Sequence, residues 1–176
     1  MNVHIRSENE NDINAISKLT QLAFSGMEHS SNTEHLIVNE LRRQDALSIS
    51  LVAEHGGRIL GHVAVSPVSI SSRAVAWFGL GPISVLPEYQ KQGIGSQLMH
   101  QALQILKDQD AAGCVLLGDP NYYYRFGFRQ AGDLVYPHAP SEYFQSICFI
   151  NTDASLDAGA GIGGEVAYHP AFLVEA

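Results

Sequence analysis

The sequence predicts a single α+β domain, and three observations carry that prediction. Apolar residues recur at helical spacing in three separate segments, runs rich in Val, Ile, Leu and aromatic residues stand between them, and a glycine pair joins two of those runs. At 176 residues the chain fits one domain, 1–176, long enough to bury a core and too short for two.

The elements follow in order. Asn11 or Asp12 is placed to cap a first helix in which Ile13, Ile16, Leu19 and Leu22 recur to about Phe24. "FSGMEHSSN" reads as a loop, and Thr33 offers the cap of a second helix with Leu36, Ile37 and Leu41 on one side. "LSISLVAE", "HGGR" and "ILGHVAVSPVSI" read as strand, turn and strand, because paired glycines supply the positive backbone angles of a tight hairpin. "AVAWFGLGPISVL" is a further strand, ended by Pro87. Ile94, Leu98, Ala102, Leu103 and Ile105 or Leu106 give a third helix its buried stripe, with Gly113 following its end. "CVLLG" reads as a buried strand, "NYYYRF" as one or two helical turns, and the tail through "SICFIN" and "EVAYH" as strand-rich. The order is α, α, β, β, β, α, β, α, β, β, without internal repeats or a dividing linker.

Composition narrows the classes of function. Net charge is −8 and the ten Lys and Arg are scattered, which argues against nucleic acid as a partner. No run reaches the length of a membrane span and "MNVHIRSENENDI" lacks the pattern of a signal peptide, so the expectation is a cytoplasmic protein without a membrane partner. Cys114 and Cys148 lie in apolar contexts without zinc-binding spacing, and two buried reduced thiols and no metal are expected. From Gln130 to Ala176 there is no Lys or Arg, while Asp133, Glu142, Asp153, Asp157, Glu165 and Glu175 supply carboxylates. Such a segment is a solvated surface or a field that steers a cationic substrate.

The chemistry centres on "QKQGIG", Gln90 to Gly95, between a strand and a helix. A turn there can direct backbone N–H groups and the positive helix end at an anion, and glycine lets the main chain come close to it. A dinucleotide fingerprint would need a third glycine where Leu98 stands, and a Walker loop would need a Gly-Lys pair, which the sequence lacks. A pyrophosphate held without magnesium or a Walker lysine is left, beside the reading of an ordinary structural turn.

"ISVLPEYQKQGIGSQL" resembles the signature of the GNAT superfamily of N-acetyltransferases, V-x-P-x-x-[QR]-x-x-G-x-[GA]-x-x-L, with Val85, Pro87, Gln90, Gly93, Gly95 and Leu98 in register. "GDPNYYYRFGF" matches the superfamily's second landmark, and with the closing "YHPAF" the chain looks most like the YhbS-like branch of predicted acetyltransferases, from about residue 3 to residue 173. The resemblance implies a mixed, mostly antiparallel central sheet with splayed middle strands and helices on both faces. It implies acetyl-CoA as acyl donor, held by the backbone of Lys91, Gln92, Gly93, Ile94, Gly95 and Ser96 from a motif that Gln90 opens. Ile83 and Val85, on either side of Ser84, would pair their backbone with the pantetheine arm, and Asn121 stands where the family's short helix begins beside the cofactor. The Lys91 side chain reads as solvated rather than as a phosphate ligand.

Acetyl transfer to an amine needs the amine neutral, the carbonyl oxygen stabilised and the leaving thiolate protonated. For a lysine-like amine near neutral pH, the free base costs about 4 to 5 kcal/mol. Family spacing marks Tyr123, five residues before Phe128, as the acid that protonates the thiolate, with Tyr122 or Tyr124 as alternatives. Backbone N–H groups around Ile83 to Val85 would meet the oxyanion. The strand "WFGLGPISV" has no carboxylate to serve as base; His62, Glu28, Asp119 or a water remain. Cys114 in its apolar strand reads as packing, and Arg125 as a brace of the short helix through a carboxylate.

The expected function is acyl-CoA-dependent N-acetyl transfer in a ternary complex to a primary amine on a small molecule, peptide or protein. A non-catalytic acyl-CoA-binding sensor or subunit, and transfer to a hydroxyl, are the alternatives. The loop "FSGMEHSSNTEH" and the tail are where an acceptor would bind, and a monomer or homodimer is expected.

Overall fold

The computed structural model describes residues 1–150 and 162–175. Its elements are β1 (His4–Ser7), α1 (Ile13–Phe24), α2 (Glu34–Arg43), β2 (Ile49–His55), β3 (Arg58–Ile70), β4 (Arg73–Val85), α3 (Ile94–Asp108), β5 (Gly113–Leu117), α4 (Pro120–Tyr123), β6 (Arg129–Gln130), β7 (Leu134–Val135), β8 (Phe144–Cys148) and β9 (Gly164–Ala167). They distribute over two compact units. One comprises Met1–Ser66, Pro82–Gln104 and Pro170–Ala176, the other Pro67–Gly81 and Ile105–His169, so β3 and β4 each pass from one into the other. The fold is α+β on a mixed, mostly antiparallel sheet, as expected.

In the first unit the strand order is β1-β2-β3-β4. β1 and β2 pair antiparallel from His4↔Glu54 to Ser7↔Leu51, and β2 and β3 from Ile49↔Val65 to His55↔Arg58. The hairpin turn carries Gly56 at φ 57° and Gly57 at φ 79°, the geometry anticipated for the glycine pair. Gly61 and His62 show the two faces of β3. A Cβ on Gly61 would lie 3.1 Å from Ile94 and Leu98 of α3, whereas the His62 ring meets groups from β2 on the opposite face. On the α2 side Ile37, Leu41, Ala46 and Ala171 form a buried cluster.

Three expectations change here. β1 was not foreseen: four residues at a sheet edge give too short an alternation to register against the polar sequence around them. Asp12 holds the N-cap position of α1 without a side-chain cap bond; the capping side chain is Asn9, which receives Asn11 N–H at 3.0 Å and opens a 3-10 turn, Glu10–Asp12, that leads into α1. Asp12 turns back instead, accepting Asn9 N–H at 2.8 Å and Arg6 at 2.6 and 3.0 Å. The buried stripe of α1 is Ile16, Leu19, Thr20 and Ala23, while Leu22 is exposed, because a three-residue period drifts off a 3.6-residue helix. Thr33 caps α2 by position without a side-chain cap bond; Glu34 reaches back to Ser30 and Ser31.

In the second unit the order is β3-β4-β5-β8-β6. β4 runs parallel to β5 through Trp77↔Gly113, Phe78↔Cys114 and Gly79↔Val115, three of the thirteen residues of β4. Two residues beyond that pairing Gly81 adopts φ 146°, a conformation that side chains rarely take. β5 pairs antiparallel with β8 along its length, β8 with β6, and β9 extends the end of β3 and runs parallel to β7. Trp77, fully buried, fills the space that a side chain on Gly113 would need, and Val68, Ile70, Val115, Leu134, Phe144 and Val166 close around it.

Cys114 is a buried free thiol as expected, but Cys148 is only half-buried, near the end of its strand. Of the acidic tail, Asp133, Glu142, Glu165 and Glu175 are exposed; Asp153 and Asp157, with Asn151 of "SICFIN", lie outside the described residues.

Candidate active site

The first unit builds the turn. Pro87 cannot extend the ladder, so β4 gives way to a 3-10 turn, Pro87–Tyr89, with Tyr89 N–H on the Leu86 carbonyl at 2.8 Å. Two glutamines then fold their amides onto the main chain behind them: Gln90 Nε2 donates to the Val85 carbonyl at 3.1 Å and Gln92 Nε2 to that of Glu88 at 3.2 Å. Lys91 at φ 60° and Gly93 at φ 84° are both left-handed, and such alternation rotates successive N–H groups towards one side. Gln97 N–H is bonded to the Gly93 carbonyl at 3.1 Å, so the N–H groups of Ile94, Gly95 and Ser96 precede the first bond of the helix ladder. α3 continues for 15 residues and carries no acid in its first turn. Lys91, Gln92 and Gly93 are exposed, while Ile94 is buried and anchors the turn on β3.

At the end of β4, Ser84 is buried and shares a 3.2 Å hydrogen bond with Thr20 of α1. Ile83 and Val85 alternate with it and are half-buried. The Ser84 side chain is thus engaged within the fold, and the Val85 carbonyl accepts from Gln90.

The second unit places Tyr123. β5 ends at Leu117, and Gly118 is fixed from both sides, its N–H donating to the Tyr143 carbonyl and its carbonyl accepting from Gln145 Nε2, each at 2.9 Å. Asp119 caps α4 by accepting Asn121 N–H at 2.9 Å, Pro120 takes the first helical position, and Gly127 at φ 94° ends the following 3-10 turn. The Tyr123 ring packs edge-on against Tyr122 at 4.9 Å and Phe128 at 6.3 Å. The three tyrosines differ in their neighbours. Arg125 lies over the Tyr122 ring at 4.6 Å and Arg129 over Tyr124 at 4.5 Å, whereas Tyr123 turns inward across Gly118. Burial holds the Tyr123 phenol above the ordinary tyrosine range, and Tyr122 and the Asp119 carboxylate push the same way. It is therefore protonated at neutral pH.

Arg125 braces the short helix by a different means from the one expected: its Nε donates to the Tyr122 carbonyl at 2.9 Å, and among the described residues its guanidinium stacks on rings rather than meeting a carboxylate. Asn121 is exposed, with its N–H committed to Asp119.

The candidate bases fall into different settings. His62 is 0% exposed, with Nε2 2.8 Å from Ser50 Oγ and Nδ1 without a hydrogen-bond partner. Desolvation lowers its pKa from 6.5 to about 4, against the pull of Glu8. Glu8 itself is opposed by burial, yet Arg42 at 2.7 and 2.9 Å and the Ser50 hydroxyl bring its carboxyl below the usual range. Asp119 is occupied as a cap, and Glu28 is exposed beyond α1. Burial raises the Cys114 thiol far from its reactive form, despite a backbone bond near Leu80.

The sequence reading missed Gly118 and Gln145 as the seat of Tyr123, and the Glu8, Arg42, Ser50 and His62 network. "GDP" after a buried strand was a signal for the first; the second joins residues too far apart in the chain for any local signal. Among the described residues no group of three or more His, Cys, Asp or Glu is arranged to hold a metal ion, and no helix is long and apolar enough to cross a membrane.

Comparison with known proteins places this geometry. Residues 4–131 match the acetyltransferase (GNAT) domain family. The uncharacterized N-acetyltransferase YhbS of Escherichia coli is 36% identical over 128 residues, 72% of this chain and 74% of that protein. Its crystal structure in complex with CoA superimposes with a TM-score of 0.88 over 99% of this chain and 93% of that one, at 32% identity. A GNAT family acetyltransferase from Brucella melitensis, in complex with acetyl-CoA, is 42% identical with a TM-score of 0.83, covering 97% and 98% of the two chains.

Proposed function

Because the chain belongs to the GNAT family of N-acetyltransferases, we propose that it transfers the acetyl group of acetyl-CoA directly to a primary amine, as one catalytic domain over residues 1–176. The observation that carries the reading is the turn from Gln90 to Ser96: two left-handed residues, three leading N–H groups of a 15-residue helix and no acid in its first turn. These groups suit the diphosphate of acetyl-CoA, since backbone donors and the helix end stabilise an anion without a metal. Complexes of two close relatives with acetyl-CoA and CoA support this.

In this reading Lys91 to Ser96 bind the diphosphate through the main chain, and Gln90 holds the turn in shape from the Val85 carbonyl. Ile83, Ser84 and Val85 offer backbone to the pantetheine arm, and Asn121 its side-chain amide. As the amine attacks and the carbon–sulfur bond breaks, Tyr123 donates its phenolic proton to the departing sulfur, and backbone N–H groups near Ile83 to Val85 meet the oxyanion. The acceptor's own proton leaves to water. His62 is fully buried and Asp119 is engaged as a cap, so neither suits that role. Cytoplasmic location and a small-molecule, peptide or protein acceptor belong to the same proposal.

The second reading, acyl-CoA binding without transfer, draws on β4. Its residues Trp77 to Val85 carry no carboxylate, and the place of a side chain on Gly79 is taken by the Tyr168 ring.

Isothermal titration with acetyl-CoA and CoA tests the proposal. The native protein is expected to bind both in the micromolar range, and Gly93→Glu, which puts a carboxylate into the turn, to lose binding. Thiol release with a panel of amines, and its loss in Tyr123→Phe with binding retained, separates transfer from binding alone. A native protein that binds neither ligand overturns both readings.

A further inference from the structure

Ser84 carries a buried hydroxyl at the end of β4, and Thr20 meets it from α1 at 3.2 Å. Both are enclosed, Thr20 0% and Ser84 3% exposed, and both belong to the first unit. Thr20 stands in a buried stripe otherwise made of Ile16, Leu19 and Ala23, where an apolar side chain would fill the same place. A β-branched residue is a modest helix former, and a hydroxyl taken out of water needs a partner to offset the loss of its hydration. The position therefore draws its value from the bond to Ser84 rather than from packing.

The bond lies behind the part of β4 on which acetyl transfer would depend. Leu86 N–H donates to the Leu60 carbonyl of β3 at 2.9 Å. Backbone groups alternate sides along a strand, so those of Ser84 face β3 as well, and those of Ile83 and Val85 face the opposite edge. The ladder of β4 with β5 ends at Gly79, and the Val85 carbonyl on that edge receives Gln90 Nε2 at 3.1 Å. Where the ladder with β5 has ended, the Thr20–Ser84 bond ties the strand end to α1 instead and sets its height over the helix.

A satisfied buried polar pair holds one register where apolar contacts alone would tolerate sliding. A misplacement of about 1 Å at groups that stabilise a transition state costs on the order of a hundredfold in rate. We propose that Thr20 and Ser84 are positioning residues for acyl transfer: their bond sets the backbone N–H groups of Ile83 and Val85 at the place where the thioester carbonyl is held. The inference rests on the acetyl-transfer reading above and extends it to a residue of α1.

The test reads the carbonyl stretch of acetyl-CoA, isotope-labelled at its thioester carbonyl and bound to the full chain, by infrared difference spectroscopy. On the native protein the band is expected below its position in free acetyl-CoA, the direction in which hydrogen bonding moves a carbonyl. Thr20→Val keeps the size of the side chain and loses the hydroxyl, and should return the band most of the way to the free position. Thr20→Ser, which keeps the hydroxyl, should retain the native band. Ser84→Ala should repeat the effect of Thr20→Val from the other partner, and the double variant should add nothing to either. Urea midpoints show that each variant compared is folded. While acetyl-CoA is bound, a native band at the free position, a native band position in Thr20→Val and Ser84→Ala, or a Thr20→Ser band displaced as far as that of Thr20→Val overturns the proposal alone. A native protein that binds no acetyl-CoA overturns the acetyl-transfer reading itself, and the proposal with it.

Discussion

The ring of Tyr123 occupies the space that a side chain on Gly118 would fill: a Cβ there would overlap the Cε2 edge of the ring. Five residues apart, the two are joined by a tight path through Asp119 and Pro120, and Gln145 fixes the Gly118 carbonyl from β8. The glycine is needed for proximity rather than for its backbone angles.

Gly118→Ala is therefore expected to displace the phenol while leaving the turn from Gln90 to Ser96 intact. The expected result is a fall in kcat of about a hundredfold, the scale of a misplaced proton donor, with acetyl-CoA affinity within about twofold of native. Steady-state kinetics beside calorimetric titration distinguish this from global unfolding, which would remove both.

Acid should destabilise the protein in a window set by His62. Its folded pKa is depressed to about 4 from 6.5, so the neutral ring is favoured by the fold, and the unfolded chain takes up the proton first. Stability is complete above 6.5 and declines as pH falls towards about 4, by a few kcal/mol. The lowered Glu8 carboxyl acts in the same direction at the acidic end. Urea midpoints measured across this range should show the slope in the native protein and a flatter profile in His62→Gln.

Arg42 and Glu8 are mostly buried partners, with side chains 20% and 15% exposed. Removing the cation alone, in Arg42→Met, strands a carboxylate beside the neutral His62 and should cost about 3 kcal/mol. Pairing it with Glu8→Gln should restore part of the loss. Denaturation of the two single variants and the double variant measures the coupling; strict additivity would show that the pair is inert.

Long elements with a clear period were legible from the sequence. Ile94, Leu98, Ala102 and Leu106 marked α3 because each turn of a buried helix repeats the same demand, and "HGGR" marked its hairpin because only glycine readily takes those angles twice. β1 was not legible, since its four residues gain their meaning only against Leu51 to Glu54 of β2. The candidate site divided similarly. The turn could be read from consecutive residues, whereas the support of Tyr123 by Gln145, and the enclosure of His62 by Glu8 and Ser50, join parts of the chain that no local pattern relates. The three adjacent tyrosines stayed ambiguous in sequence because what separates them is which arginine folds over which ring.

Ala171 is buried in one cluster with Ile37 and Leu41, and Phe172 and Val174 pack against it. That cluster joins residues more than 120 positions apart, and a ribosome has to deliver nearly the whole described chain before it can close. Until then α2 emerges with part of its apolar face bare. During synthesis this protein thus has a long interval in which chaperones or self-association compete for Ile37 and Leu41, and removing Ala171 to Val174 would make that interval permanent.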